Sequence, residues 1–334
     1  MRITIFGAGA VGGTIAARLA AAGQSVSVVA RGDTLAAIEA NGLILAEDGT
    51  EITAPLTVTD DPATLPPQDV VLLGLKAHQI EPALPAIEPL LSARPLVVPA
   101  INGLPWWYFE GVADHPPGGA RIDSVDPNGA LARAFPATRL SGCVVYVAAR
   151  TLAPGRVESS GYRRLILGPV LGTSPDGLED FAATLANAGF EAPIDPDIRQ
   201  AVWMKLWGNL WANPISVLTA APMGPITDEP AVRATARRMM EEAQAVAARL
   251  GVVLDEDIED RIDRPGKSLP DFRTSMLQDF DRGRPIELEA ILGTVRELAH
   301  RLDIPAPTID TVYGLTRLRA RMAAEGNGDD VRPD

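Results

Sequence analysis

Through about the first 195 positions of the chain, short β-branched runs alternate with turn residues and amphipathic stretches; beyond them apolar residues recur at helical spacing almost to the end. The opening RITIFGAGAVGGTIAARLAAAGQSVSVVARGD predicts a strand, a Gly-rich turn, a helix and a second strand over roughly Ser25 to Ala30. GLILAEDGTEITAPLTVT reads as a hairpin beside the main sheet with Asp48-Gly49 at its turn, since Asp-Gly tolerates the left-handed backbone of a tight hairpin. DVVLLGLK from Asp69 and PLVVPA from Pro95 have the continuous apolar character of strands covered on both faces. CVVYVAA and RRLILGPV are further strand-like runs, followed by a helix in DGLEDFAATLANAGF, and are expected to complete the sheet through about residue 195. Then IRQAVWMKLWGNLWAN, AVRATARRMMEEAQAVAARLG, LPDFRTSMLQDFDRG, IELEAILGTVRELAHRLD and TIDTVYGLTRLRARMAA read as successive helices. The expected organisation is an α/β domain over 1–195, an all-α domain over 196–325 and a disordered acidic tail over 326–334.

Composition narrows the function classes. A chain of 334 residues with 46% hydrophobic content can bury one large core or two moderate ones, and its length favours two domains. Its net charge of −13 argues against nucleic acid or an anionic membrane as partner, so an anionic ligand must be met by locally placed cations. Cys143, the one cysteine, lies in a strand-like run and reads as a buried thiol; His78, His115 and His300 are too scattered for a metal site. With no secretory leader and no uninterrupted apolar span, a cytoplasmic protein is expected.

The glycines of GAGAVGG carry the first chemistry. Gly7 suits the tight turn after the first strand, Gly9 lets a pyrophosphate approach the backbone, and Gly12 permits close packing of helix on strand. Residues Gly7, Ala8, Gly9, Ala10, Val11 and Gly12 therefore form a candidate phosphate cradle at a helix N-terminus, the mark of a Rossmann-type dinucleotide-binding domain. Arg31 follows the second strand, where a carboxylate would favour NAD; a planar cation suits the 2′-phosphate of NADP, while Asp33 two residues on leaves NAD open. Lys76 and Asn102 end two other strands of the same sheet, the edge at which such sheets bind ligands. The plainer alternatives are a solvated helix-start lysine and an ordinary Asn-Gly turn.

In MKLWGNLWANP, Lys205, Asn209 and Asn213 recur every fourth residue and so share one helix face, with Pro214 just beyond, while Trp203, Trp207 and Trp211 form a packing ridge at the same spacing. Together with GAGAVGG, LKAHQ, ING and SMLQDFDRGRPIELE, this segment resembles the ketopantoate reductases in content, order and approximate spacing over nearly the whole chain. The resemblance implies NADPH-dependent reduction of a 2-oxo acid, 2-dehydropantoate to (R)-pantoate in pantothenate synthesis. It assigns Lys205 as general acid, Glu287 as a catalytic carboxylate that binds or orients substrate, and Asn209, Asn213 and Ser275 as substrate contacts. Asn102 and Lys76 would help assemble the cofactor and substrate site. The aromatic INGLPWWYFEG and the Pro/Gly-rich DHPPGGARIDSVDPNGA depart from the family pattern and leave open another 2-oxo acid or D-2-hydroxy acid as substrate. A nucleotide-sensing regulator without turnover is the reading from a different class, and the apolar helical half offers room for a homodimer contact.

Overall fold

The computed structural model describes residues 1–328. The chain divides into two compact units. One comprises Met1–Asn102, Trp106–Val112 and Asn128–Ala201; the other comprises Gly103–Pro105, Ala113–Pro127 and the chain from Val202 onward.

In the first unit the chain runs through β1 (Arg2–Phe6), α1 (Ala10–Ala21), β2 (Ser25–Val29), α2 (Gly32–Asn41), β3 (Leu43–Glu47), β4 (Thr50–Ala54) and β5 (Thr57–Thr59). It continues through β6 (Val70–Leu73), α3 (Ala77–Ile87), β7 (Leu96–Pro99), α4 (Ala130–Ala134), β8 (Ser141–Ala153), β9 (Arg156–Pro169) and α5 (Leu178–Asn187). A parallel sheet has the order β5-β2-β1-β6-β7. The chain builds outward from β1 through β2 to β5, then returns to β6 on the other side of β1. The switch point lies between β1 and β6, and ligands of open parallel sheets bind at such a point beyond the strands' carboxyl ends.

Asp48 and Gly49 adopt φ of 49° and 75° between β3 and β4, the left-handed pair expected of a tight hairpin. Thr57–Thr59 leaves that hairpin, however, and joins β2 as a parallel edge strand. The expectation that the later strands complete the parallel sheet is also overturned. β8 and β9 pair antiparallel with each other and, through β9, with β3, giving a second sheet of order β4-β3-β9-β8. An isolated parallel bridge joins Leu140, just before β8, to Val97 of β7.

Helix α1 is packed on both sides, which explains its Gly and Ala content. A Cβ at Gly12 would face Ile5 of β1, whereas one at Gly13 would meet Val157 of β9 at 3.0 Å. Further along the helix, Arg18 and Arg163 both pair with Glu47, a carboxylate only 3% exposed. The aromatic run of INGLPWWYFEG belongs to the core: Trp106, Trp107, Tyr108 and Phe109 are buried, and Trp107 and Ile198 together leave no room for a Cβ at Gly142.

In the second unit α6 (Ile198–Thr219), whose first turn belongs to the first unit, is followed by α7 (Met223–Asp228), α8 (Pro230–Arg249), α9 (Ile258–Ser268) and α10 (Ser275–Asp281). One π-helical turn, Glu289–Gly293, then leads into α11 (Thr294–Arg301), and α12 covers Pro307–Gly328. The helix carrying the polar series does not stop near Pro214 but continues through it. Proline removes one backbone donor, yet Ile215, Ser216 and Val217 are all buried, so packing holds the helix together past the break. The ridge Trp203, Trp207 and Trp211 is at most 1% exposed, and Met239 and Met240 are core residues. Of the expected tail, 326–328 lies in α12 and 329–334 lies outside the described residues.

The Pro/Gly-rich segment is tied to α11. Arg301 donates to the carbonyls of Pro116, Pro117, Gly119 and Arg121, while the Glu297 carboxylate accepts from the N–H groups of Asp123 and Ser124 at 2.9 and 2.8 Å.

Candidate functional site

At the carboxyl end of β1 the backbone is laid out by glycine. Gly7 has φ 102°, and its N–H donates to Val29 of β2 at 3.0 Å. A Cβ at Gly12 would overlap the Gly7 carbonyl oxygen, so turn and helix can approach this closely only without one. Gly9 is the opposite case: it caps α1 in an ordinary extended conformation, it is exposed, and a Cβ there would meet nothing within 4 Å. The space above it suits a group approaching the backbone. No side chain caps α1, and its first turn carries no acid, so nothing at this end competes with an anion for the helix N-terminus.

Gly74 belongs to the same construction, although the sequence reading did not single it out. It follows β6, across the switch point, and a Cβ there would lie 2.8 Å from the Gly7 oxygen and 3.1 Å from Gly12 Cα. Three glycines thus meet where β1, β6 and α1 converge. The signal was its place, directly after an apolar strand run, in the stretch LLGLK.

Lys76, two residues on, is the N-cap of α3 and half-buried; its N–H donates to the Gln79 side chain at 3.0 Å. Arg31 is the exposed N-cap of α2, two residues beyond the end of β2, and Asp33 stands exposed in the first turn of that helix. Asn102 ends the first unit's opening stretch, three residues past β7, and is half-buried. These residues share the carboxyl side of one sheet with the Gly7–Gly12 turn. The donor set fits a dinucleotide: an uncapped helix N-terminus for the pyrophosphate, and an arginine and an acid beyond β2 for the adenosine ribose.

The helical unit holds the other group. Lys205 and Asn209 are half-buried on α6, and Asn213, one turn further, is 4% exposed. Opposite them the tryptophan ridge is anchored by Trp207, whose indole N–H donates to the Met240 carbonyl at 2.9 Å. Ser275 is exposed in the first turn of α10, directly after its N-cap Thr274. Glu287 lies just before the π-helical turn, 5% exposed, with its carbonyl accepting from Ile291 N–H at 3.2 Å. Glu287 is thus a buried carboxylate and not an exposed one at a helix start.

Two features of this unit escaped the sequence reading. Ser216 and Thr274, buried at 0% and 3%, meet through their hydroxyls at 2.5 Å, joining the Asn213 turn of α6 to the start of α10. Gly103 has φ 85°, and a Cβ there would overlap the carbonyl of Ala290 in the π-helical turn, which also accepts from Leu104 N–H at 2.9 Å. Asn-Gly at 102–103 signalled a turn; its seat on Ala290 depends on a contact nearly two hundred positions away.

Known proteins resemble this chain over nearly its full length. The family model for ketopantoate reductase PanE/ApbA matches residues 3–106, and the model for its C-terminal part matches residues 197–320. 2-Dehydropantoate 2-reductase of Mesorhizobium japonicum is 46% identical over 326 residues, covering 97% of this chain and 98% of the relative. The enzyme of the same name from Mycobacterium tuberculosis H37Rv is 31% identical over 316 residues, covering 94% and 96%. Among solved structures, a provisionally named ketopantoate reductase from Ralstonia solanacearum MolK2 superposes with a TM-score of 0.90 at 42% identity, covering 96% of this chain and 98% of that one. No helix among the described residues is long and apolar enough to cross a membrane, and none of their His, Cys, Asp and Glu residues form a group able to hold a metal ion.

Proposed function

The chain belongs to the ketopantoate reductase family, an oxidoreductase family acting on a CH–OH group, and on that premise we propose that it reduces 2-dehydropantoate to (R)-pantoate with NADPH, with Lys205 as general acid. The cradle Gly7, Ala8, Gly9, Ala10, Val11 and Gly12 holds the pyrophosphate on the N–H groups of α1, with Lys76 and Asn102 completing that side. Arg31 pairs with the 2′-phosphate through its planar cation. When bound, NADPH supplies the hydride for the carbonyl carbon.

The chain's own work is to manage charge and position. Reduction of the carbon builds negative charge on the carbonyl oxygen; the Lys205 ammonium stabilises it and donates a proton from Nζ, leaving the hydroxyl. Asn209 and Asn213 each present a donor and an acceptor, and a branched hydroxy-oxo acid needs both without a competing charge. Glu287 accepts from the substrate hydroxyl and orients it, and Ser275 adds a further hydroxyl contact.

The observation that carries the reading is the burial of Glu287 in a family member that also has the whole Lys205, Asn209, Asn213 series on one helix face. The test is a panel of 2-oxo acids with saturating NADPH, followed by absorbance. Highest kcat/KM for 2-dehydropantoate supports the assignment. A strong preference for another acid rejects that substrate, and cofactor binding without any turnover rejects the enzyme reading.

A further inference from the structure

Counting protons fixes the direction of a buried chain of hydrogen bonds in the helical unit. The Ser216 hydroxyl has one proton, and it donates to the Asn213 carbonyl at 2.7 Å. In its 2.5 Å contact with Thr274, Ser216 Oγ must therefore accept, and Thr274 Oγ1 must donate. Thr274 Oγ1 in turn accepts the Leu277 N–H at 3.2 Å, which caps α10. The run is one-directional: Leu277 N–H to Thr274, Thr274 to Ser216, Ser216 to the Asn213 carbonyl.

Each member is withdrawn from water, so none can exchange its partner for solvent at low cost. The bridge spans 58 positions of sequence and ends beside Asn213 on one helix and Ser275 on the other. It also falls just past Pro214, where α6 lacks a backbone donor and is least constrained by its own hydrogen bonds.

We propose that Ser216 and Thr274 are positioning residues that set the separation of Asn213 and Ser275, and thereby the fit of the 2-oxo acid. The inference rests on the substrate contacts proposed above for those two residues. Neither hydroxyl touches substrate; both act through the residues beside them.

The test is steady-state kinetics with 2-dehydropantoate and NADPH. Ser216→Ala removes the bridge while leaving Thr274 to cap α10; Thr274→Val removes both at nearly constant shape. Each is expected to lower kcat/KM for the 2-oxo acid about tenfold, with a raised substrate KM, while the KM for NADPH stays within about twofold. The double variant should be no worse than the poorer single one, since both remove one interaction. Thr274→Ser, which restores the hydroxyl, should recover most of the loss. A purely structural bridge would lower Tm and the active fraction while leaving both KM values in place, and that result overturns the proposal. Should Ser216→Ala not fold, Thr274→Val against Thr274→Ser decides alone. Asn213→Ala and Ser275→Ala are measured alongside. If they impair substrate use and the bridge variants do not, the positioning role is wrong and the site reading stands; if they have no effect, both fail.

Discussion

Gly74→Ala and Gly9→Ala are chemically the same change, and the structure assigns them opposite consequences. At Gly74 the added Cβ would lie 2.8 Å from the Gly7 oxygen and 3.1 Å from Gly12 Cα, both inside the 3.4 Å at which ordinary contact begins. Both neighbours are backbone, fixed by the pairing of β1 with β6 and by the first turn of α1, so neither can rotate aside. Overpacking of this kind costs about 1–3 kcal/mol. At Gly9 the methyl enters open space in an allowed conformation; the exchange costs at most about 1 kcal/mol through the weaker N-cap preference of alanine. It does, however, fill the room over the helix N-terminus. Urea unfolding of both variants, beside NADPH titration by fluorescence, separates the effects. Gly74→Ala should lose stability, whereas Gly9→Ala should keep its midpoint nearly unchanged and bind NADPH at least about tenfold more weakly, as expected when one pyrophosphate contact is blocked. A Gly9→Ala protein that binds NADPH as the parent does would refute the cradle, and a Gly74→Ala protein of parental stability would refute the packing argument.

Three other outcomes follow from the same structure. Arg31→Asp should shift kcat/KM from NADPH toward NADH, because a carboxylate repels the 2′-phosphate and accepts from a ribose diol; an unchanged preference would mean another residue reads that phosphate. Burial pushes the Asp310 carboxyl up, but hydrogen bonds and charge from His300 and Arg296 outweigh it and hold it below the usual carboxylate range. Its folded-state pKa being depressed, its stabilisation is present above about pH 4 and fades as pH falls through the folded value, so parent and Asp310→Asn should converge in urea midpoint as pH drops from 7 toward 3. Arg301→Ala should free the Pro116–Arg121 backbone it holds, seen as faster amide hydrogen exchange confined to that stretch, and unchanged exchange there would show that the Glu297 contacts suffice.

Local chemistry made much of this fold readable. Gly7, Gly9 and Gly12 announced a turn between strand and helix, Asp48-Gly49 announced a hairpin, and the four-residue spacing of Trp203, Trp207 and Trp211 announced a buried ridge; each depends on backbone geometry within one turn or one strand. What was not readable depends on distant partners. Nothing in CVVYVAA or RRLILGPV says whether the strands join β7 or pair with one another, because both arrangements bury the same residues. Helix α9 was missed since Asp, Glu and Arg dominate it and Pro265 interrupts it; charged neighbours such as Arg233, bonded to Glu259 and Asp263, support it. Pro214 suggested a helix end that tertiary packing overrides. Candidate site residues were found through a resemblance of motifs, while Gly74, Ser216 and Thr274, small residues whose role lies in what they touch, needed coordinates.

The proposed chemistry stands or falls on the proton supplied to the carbonyl oxygen. Single-turnover and steady-state reduction of 2-dehydropantoate by Lys205→Ala, with NADPH affinity measured in parallel, tests it most directly. The account predicts that kcat falls about 10²-fold or more while NADPH binds as before. A kcat equal to the parent's, with only the substrate KM raised, would make Lys205 a binding residue and contradict the account.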